Sequence, residues 1–405
     1  MRLVIRRLSM SAKFALIGAS FSLPIALLLY LYISQVQARI EFTDRELRGT
    51  AYLRPLVELQ AILREAPSPE TEARAAAAWT ALNRAQEEHG AALQFTSVGL
   101  AKRSRRGLEP QAMRERWEKV RREPIAIELR KLDADFGRMI THAGDLSNLI
   151  LDPDLDTYYL MDVTLLALPQ LQARLNRISE QASMPEPLRM SFESGLLREI
   201  DLPRVRASTT SAWLEDPYFM GIRPTLKPRL TAALAALEKH HNELIHALES
   251  ADADSKQLTE LSAQARHAGV EFWKVATGEL DGLLGMRLEA LREERNRALA
   301  VSLLSLAGAS WLAVFLLRSI TNPLELVVRE LSPESVAMRV SADRLALHRL
   351  RDALSEEDSV KLSEEMKGHS VTIRRAVIEL VAQISGGEPE LASRVEGAPW
   401  GETKK

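Results

Sequence analysis

Twelve residues, Leu151-Asp-Pro-Asp-Leu-Asp-Thr-Tyr-Tyr-Leu-Met-Asp162, hold four aspartates and two adjacent tyrosines. Alternating Asp152, Asp154 and Asp156 match the first half of a calcium-binding EF-hand loop. That loop then needs glycine at its sixth place and glutamate at its twelfth. Thr157 and Val163 stand there, so the calcium reading fails. Pro153 ends the preceding helix, and Asp154 or Asp156 is expected to cap the next one by accepting from its free backbone N–H groups. Leu160, Val163, Leu166 and Leu168 would supply its buried side. Tyr158, Tyr159 and Asp162 near the turn are candidates to line a small-molecule site, because pockets combine aromatic walls with a few polar groups.

Two further constellations carry polar chemistry. Leu237-Glu-Lys-His-His-Asn-Glu-Leu-Ile-His246 contains two Glu-x-x-His motifs, the spacing used by di-iron helical bundles. Both lie on one helix, about 140° apart around it, so they cannot share a metal pair, and a solvated face is expected. Lys102-Arg-Ser-Arg-Arg106 is the densest basic run in this part of the chain. Arg103, Arg105 and Arg106 could attract an organic acid, since guanidinium forks suit carboxylates, or could form a solvated loop. No phosphate loop, nucleophile elbow or zinc-protease motif occurs. The expectation is therefore a chain without enzymatic activity, cofactor or metal. With no cysteine, disulfides and thiol chemistry are excluded, and a net charge of −2 predicts no nucleic-acid partner.

The elements that position these residues are helices. The 405-residue chain is 46% hydrophobic but only 5% aromatic, and no run with strand periodicity is found. Phe14–Ile33 and Ala298–Leu317 are uncharged for twenty residues each, enough to cross a bilayer core of about 30 Å. The first is too long for the apolar core of a typical signal peptide. Arg2, Arg6, Arg7 and Lys13 precede it without an acid, which places the N-terminus in the cytoplasm. The expected plan is all-α and multi-pass in a bacterial inner membrane, with both termini cytoplasmic. Residues 1–13 form the cytoplasmic N-terminus, 14–33 and 298–317 the membrane helices, and 34–297 a periplasmic helical sensor domain. That domain would be one bundle with long insertions or two stacked bundles. Its expected helices run from 35 to 64, 70 to 93, 110 to about 150 and 156 to 181, then from 228 to 250 and from 255 into the second span. Pro203 obscures residues 186–211, and Pro217–Pro228 should be irregular.

Past the second span, Arg318-Ser-Ile-Thr-Asn-Pro323-Leu324 leads into Leu324, Val328 and Leu331 at helical spacing. Residues 318–355 look like a HAMP relay, a parallel coiled coil in a dimer, with Pro323, Leu324, Val328 and Leu331 as its signal-relay positions. The connector glycine usual in HAMP segments is missing, since no glycine occurs between Arg318 and Lys367. Residues 356–385 read as a further cytoplasmic helix and 386–405 as a disordered tail.

Four stretches together resemble bacterial transmembrane chemoreceptors, the methyl-accepting chemotaxis proteins. They are Ile40-Glu-Phe-Thr-Asp-Arg-Glu46 with Tyr52-Leu-Arg-Pro-Leu56, Leu151–Asp162, Leu283-Leu-Gly-Met-Arg-Leu288 and Arg318–Leu324. The resemblance implies a homodimer that senses a periplasmic small molecule or partner and passes the signal by small helix displacements. The methylation helices and the signalling hairpin of that family are absent from this sequence. The alternative is a structural or scaffold membrane protein, or a truncated receptor, that acts through coiled-coil contacts with full-length receptors or cytoplasmic signalling proteins.

Overall fold

The computed structural model describes residues 10–181, 187–219, 221–250 and 254–330. Among the described residues every regular element is helical. In chain order they are α1 (Met10–Leu63), α2 (Pro69–His89), α3 (Ser97–Lys102), α4 (Pro110–Arg122), α5 (Ala126–Leu146), α6 (Leu155–Met161), α7 (Leu168–Gln181), α8 (Pro187–Leu196), α9 (Leu202–Glu215), α10 (Leu226–Glu249) and α11 (Ser255–Glu330). The chain divides into two compact units, Met1–Leu306 and Ala307–Lys405. In the second unit the described residues, 307–330, are helical. The expected segments 356–385 and 386–405, residues 331–355 of the HAMP-like segment, and residues 1–9 lie outside the described residues.

Local chemistry explains most boundaries. Ser68 caps α2 through a hydrogen bond from Thr71 N–H, Thr71 Oγ1 accepts from Ser68 N–H in return, and Pro69 fills the first helical position. Pro110 opens α4 in the same way. The long helix expected from 110 to about 150 is in fact two, because Pro124 stops α4 and restarts the chain as α5. The short α3, just before the arginine-rich loop, was not foreseen.

Proline acts differently further along. Asp162–Ala167 and Leu197–Asp201 are π-helical, and each runs directly into a Leu-Pro pair, Leu168-Pro169 and Leu202-Pro203. A proline lacks the N–H of the normal ladder and crowds the carbonyl four residues back, and a widened turn relieves both problems. The helix therefore continues where Pro203 had suggested a break. The wide turn also shifts the helical phase. Leu160, Val163 and Leu168 are buried as expected, whereas Leu166 is 40% exposed.

One continuous apolar core runs through the first unit. It includes Trp79 and Phe136 as well as Leu171 and Leu237, so helices before and after residue 181 share it. Trp79, Trp117 and Phe136 meet with ring centroids 6.0–6.2 Å apart. A smaller cluster of Val36, Ile40, Leu288 and Leu291 joins α1 to α11. Beyond it, α1 and α11 carry apolar residues that face outward, such as Phe21, Leu28, Leu304 and Trp311. These two helices are long and apolar enough to cross a membrane.

Candidate functional site

The two membrane-length helices are joined by polar chemistry inside the bundle. On α11, Leu280, Leu284, Arg287 and Leu291 recur at three- and four-residue spacing and share the buried face. Arg287 is thus carried inward with the leucines. On α1 the buried stripe reads Thr43, Glu46, Thr50, Leu53, which carries Glu46 inward too. After α5, Asn148 takes a left-handed conformation (φ 68°) and a 3-10 turn, Leu149–Leu151, delivers Asp152 to the same place.

Arg287 is the only cation in this cluster among the described residues. Its Nη1 lies 3.2 Å from Glu46 Oε2, and its Nη2 donates to Asp152 Oδ1 at 2.8 Å. Nη2 also donates to Thr157 Oγ1. Nε lies 2.7 Å from Asp154 Oδ2, although the N–H points too far off line for a hydrogen bond. Asp152 Oδ1 further accepts from Thr157 Oγ1–H at 2.8 Å and from Asp154 N–H at 3.1 Å. Asp156, also buried, accepts from Thr157 N–H at 2.7 Å.

Buried carboxylates outnumber the cation, and proton binding redresses the balance. Loss of water, then the Asp152 charge beside it, pushes Glu46 up to about 9, against the pull of Arg287. Burial also raises Asp152, though Arg287 opposes it, and burial pushes Asp156 up to about 6. Were Glu46 and Asp152 both ionised, Glu46 Oε1 and Asp152 Oδ2 would each be buried without a partner. A single proton held between these two carboxyls would satisfy both atoms, and both shifts favour proton binding there.

Asp154 occupies the N-cap position of α6, but its side chain makes no capping bond. The expected capping role is corrected: Asp152 and Asp154 face Arg287, and Asp156 binds the N–H of its own neighbour, Thr157. The cation held by this acidic run is a guanidinium.

The predicted ligand residues fall in separate surroundings. Tyr158 is 39% exposed, and Tyr159 is half-buried against the core with its ring 5.6 Å from that of Tyr158. Asp162 accepts from Arg204 Nη2 and Ser208 Oγ, both at 2.7 Å, and so pins the π-helical turn to α9. Arg105 donates to Asp145 at 2.7 Å and lies 3.0 Å from His142 Nδ1, while Arg103 and Arg106 are exposed. Among the described residues no hydrogen bond, ion pair or ring contact joins these arginines to the two tyrosines. Pro323, Leu324 and Val328 lie within α11, and Leu331 falls outside the described residues.

The solvated face expected for the Glu-x-x-His motifs holds for Glu243 and His246, which are exposed, and is corrected for His241. His241 is fully buried and lies 2.7 Å from Leu237 O through Nδ1, and burial lowers its pKa to about 4, so it is a neutral core residue. Glu238 pairs with Arg206 at 2.6 Å. Reading the sequence missed Glu46 and Arg287 as site residues, although both stand in stretches that carry the chemoreceptor resemblance. The available signal was phase: each charge sits in register with apolar or small neighbours on a helix. Compared with known proteins, this chain matches no family model, no curated protein and no solved structure.

Proposed function

We propose that this protein is a membrane-embedded, dimeric signal-transducing sensor, in which the Arg287 cluster holds one of two packings of the helices that enter and leave the membrane. The observation that carries this reading is the joint itself: a single buried guanidinium on α11 bound to Glu46 of α1 and to Asp152 and Asp154 of the turn between α5 and α6. At 1.5 Å per residue, Glu46 lies about 20 Å past the first apolar segment and Arg287 about 17 Å before the second. A small slide of α11 along α1 would exchange Arg287 between acidic partners rather than stretch its bonds gradually. That is the discrete bistability a helix-displacement signal needs.

In this reading residues 34–297 face the periplasm, and the HAMP-like segment from Arg318 carries the displacement into the cytoplasm. The four chemoreceptor-like stretches support it, since three of them supply the residues of this one cluster. The chain has no cysteine, so Leu303→Cys gives a unique cross-linking site in the second span. Oxidative cross-linking of the full-length protein in membranes is the test. The expected result is that Arg287→Met changes the cross-linking rate without added ligand, and that at least one compound in a panel of organic acids, amino acids and inorganic anions also changes it. A rate that responds to neither would refute the switch.

A further inference from the structure

At the end of the bundle where α1 finishes, a cleft of about 400 Å³ opens between the ends of α1, α4 and α7, the start of α5 and the side of α11. That volume suits a small metabolite. Three arginines line it, Arg64, Arg121 and Arg266, with the carboxylates of Glu65 and Glu180 and the apolar side chains of Val120 and Leu129.

The arginines differ in what they hold. Arg64 is bound to Asp133 at 2.7 Å and to Glu180 at 2.6 Å. Arg121 binds Glu72 at 2.6 Å and the backbone oxygen of Glu65 at 3.0 Å. Arg266 is half-buried, and no carboxylate among the described residues lies within ion-pair distance of its guanidinium. Burial, then the nearby Arg64, lowers its pKa against the weaker pull of Glu65 and Asp133.

An unpaired guanidinium and an apolar wall in one cavity describe a ligand by complement. A carboxylate meets Arg266 through two parallel N–H bonds. An aliphatic body covers Val120 and Leu129. We propose that this cleft binds an organic monocarboxylate with an aliphatic body. The proposal names the ligand class of the sensor described above and rests on that reading only for its consequence at the spans; the binding stands on the cleft alone.

The test uses the full-length protein in lipid nanodiscs and calorimetric titration with 4-methylpentanoate. Two analogues each remove one element: 4-methylpentanamide lacks the charge, and acetate lacks the aliphatic body. Saturable binding of 4-methylpentanoate is expected, weakened about 10- to 100-fold by Arg266→Gln, by loss of the charge or by loss of the aliphatic body. Arg266→Lys keeps the charge and should retain part of the affinity. Unliganded Arg266→Gln should melt no lower than wild type, because it removes a charge without a partner. No saturation by 4-methylpentanoate, equal binding of the amide, or wild-type affinity in Arg266→Gln would each overturn the proposal. The two readings fail separately. Binding that leaves Leu303→Cys cross-linking unchanged counts against the sensor, whereas cross-linking that answers only to other compounds counts against the cleft.

Discussion

Glu46→Gln separates a protonated from an ionised glutamate at the centre of the helix joint. If Glu46 carries the proton shared with Asp152, a glutamine replaces it nearly atom for atom. The amide N–H₂ donates to Asp152, and the amide oxygen accepts from Arg287 Nη1. Stability at pH 7 should then change by less than about 1 kcal/mol. If Glu46 were ionised, the same change would break a fully buried ion pair and cost about 3–5 kcal/mol. The pH dependence sharpens the contrast. A carboxyl whose folded pKa is raised contributes stability that is fully present below its unfolded pKa and is lost as pH rises through the folded value, here about 9. Between those limits one retained proton is worth about 1.4 kcal/mol per pH unit. From pH 7 to 8.5 the wild type should therefore lose about 2 kcal/mol more than Glu46→Gln. For a domain of this size that is about 4–8 °C in Tm. Thermal unfolding of both proteins in nanodiscs at the two pH values is the assay. Parallel pH slopes, or a Tm drop of about 10 °C for the variant at pH 7, would refute the protonated pair.

Arg287→Met should cost about 3–5 kcal/mol in denaturant unfolding, because the buried Asp152 and the half-buried Asp154 would be left without a cation, and the loss should grow as pH rises. Gly49→Ala should cost about 1–3 kcal/mol, since the added methyl would sit 2.3 Å from Ser147 Cβ and force α1 away from the end of α5; melting measurements would report it. Arg105→Ala should lower stability by about 1–2 kcal/mol, given that its partner Asp145 is 34% exposed. Arg103→Ala and Arg106→Ala should stay within about 0.5 kcal/mol, and an equal effect of all three would show that the loop is solvated throughout.

Helix content and the two apolar segments were legible because they depend on composition and periodicity over long windows. Pro67 and Pro69 also marked a boundary, because the Ser68 cap stands beside them. Pro124 could have been read in the same way, since the α region is disfavoured for the residue before a proline. Pro169 and Pro203 could not, because whether a proline breaks a helix or widens it depends on what the neighbouring helices pack against. The roles of Asp152 and Asp154 were illegible for a related reason. Their cation lies 135 residues away, and local capping chemistry explains a short acidic run just as well until that partner is known. His241 looked solvated because its motif is polar, yet its phase with Leu237 and Leu244 places it in the core.

The Arg287 joint also imposes an order on biosynthesis. Glu46 and Arg287 are 241 residues apart. At a synthesis rate of roughly 5–20 residues per second, tens of seconds separate the appearance of the two. During that interval α1 and the turn after α5 can pack while their carboxylates wait without a cation, which favours holding them as neutral acids. Closing so long a loop costs little more entropy than closing one half its length. The joint is thus a late latch that shuts only once Arg287 is made, and a chain that stalls before it keeps an open, acid-lined gap beside its first apolar helix, the kind of unfinished surface that quality-control proteases and chaperones inspect.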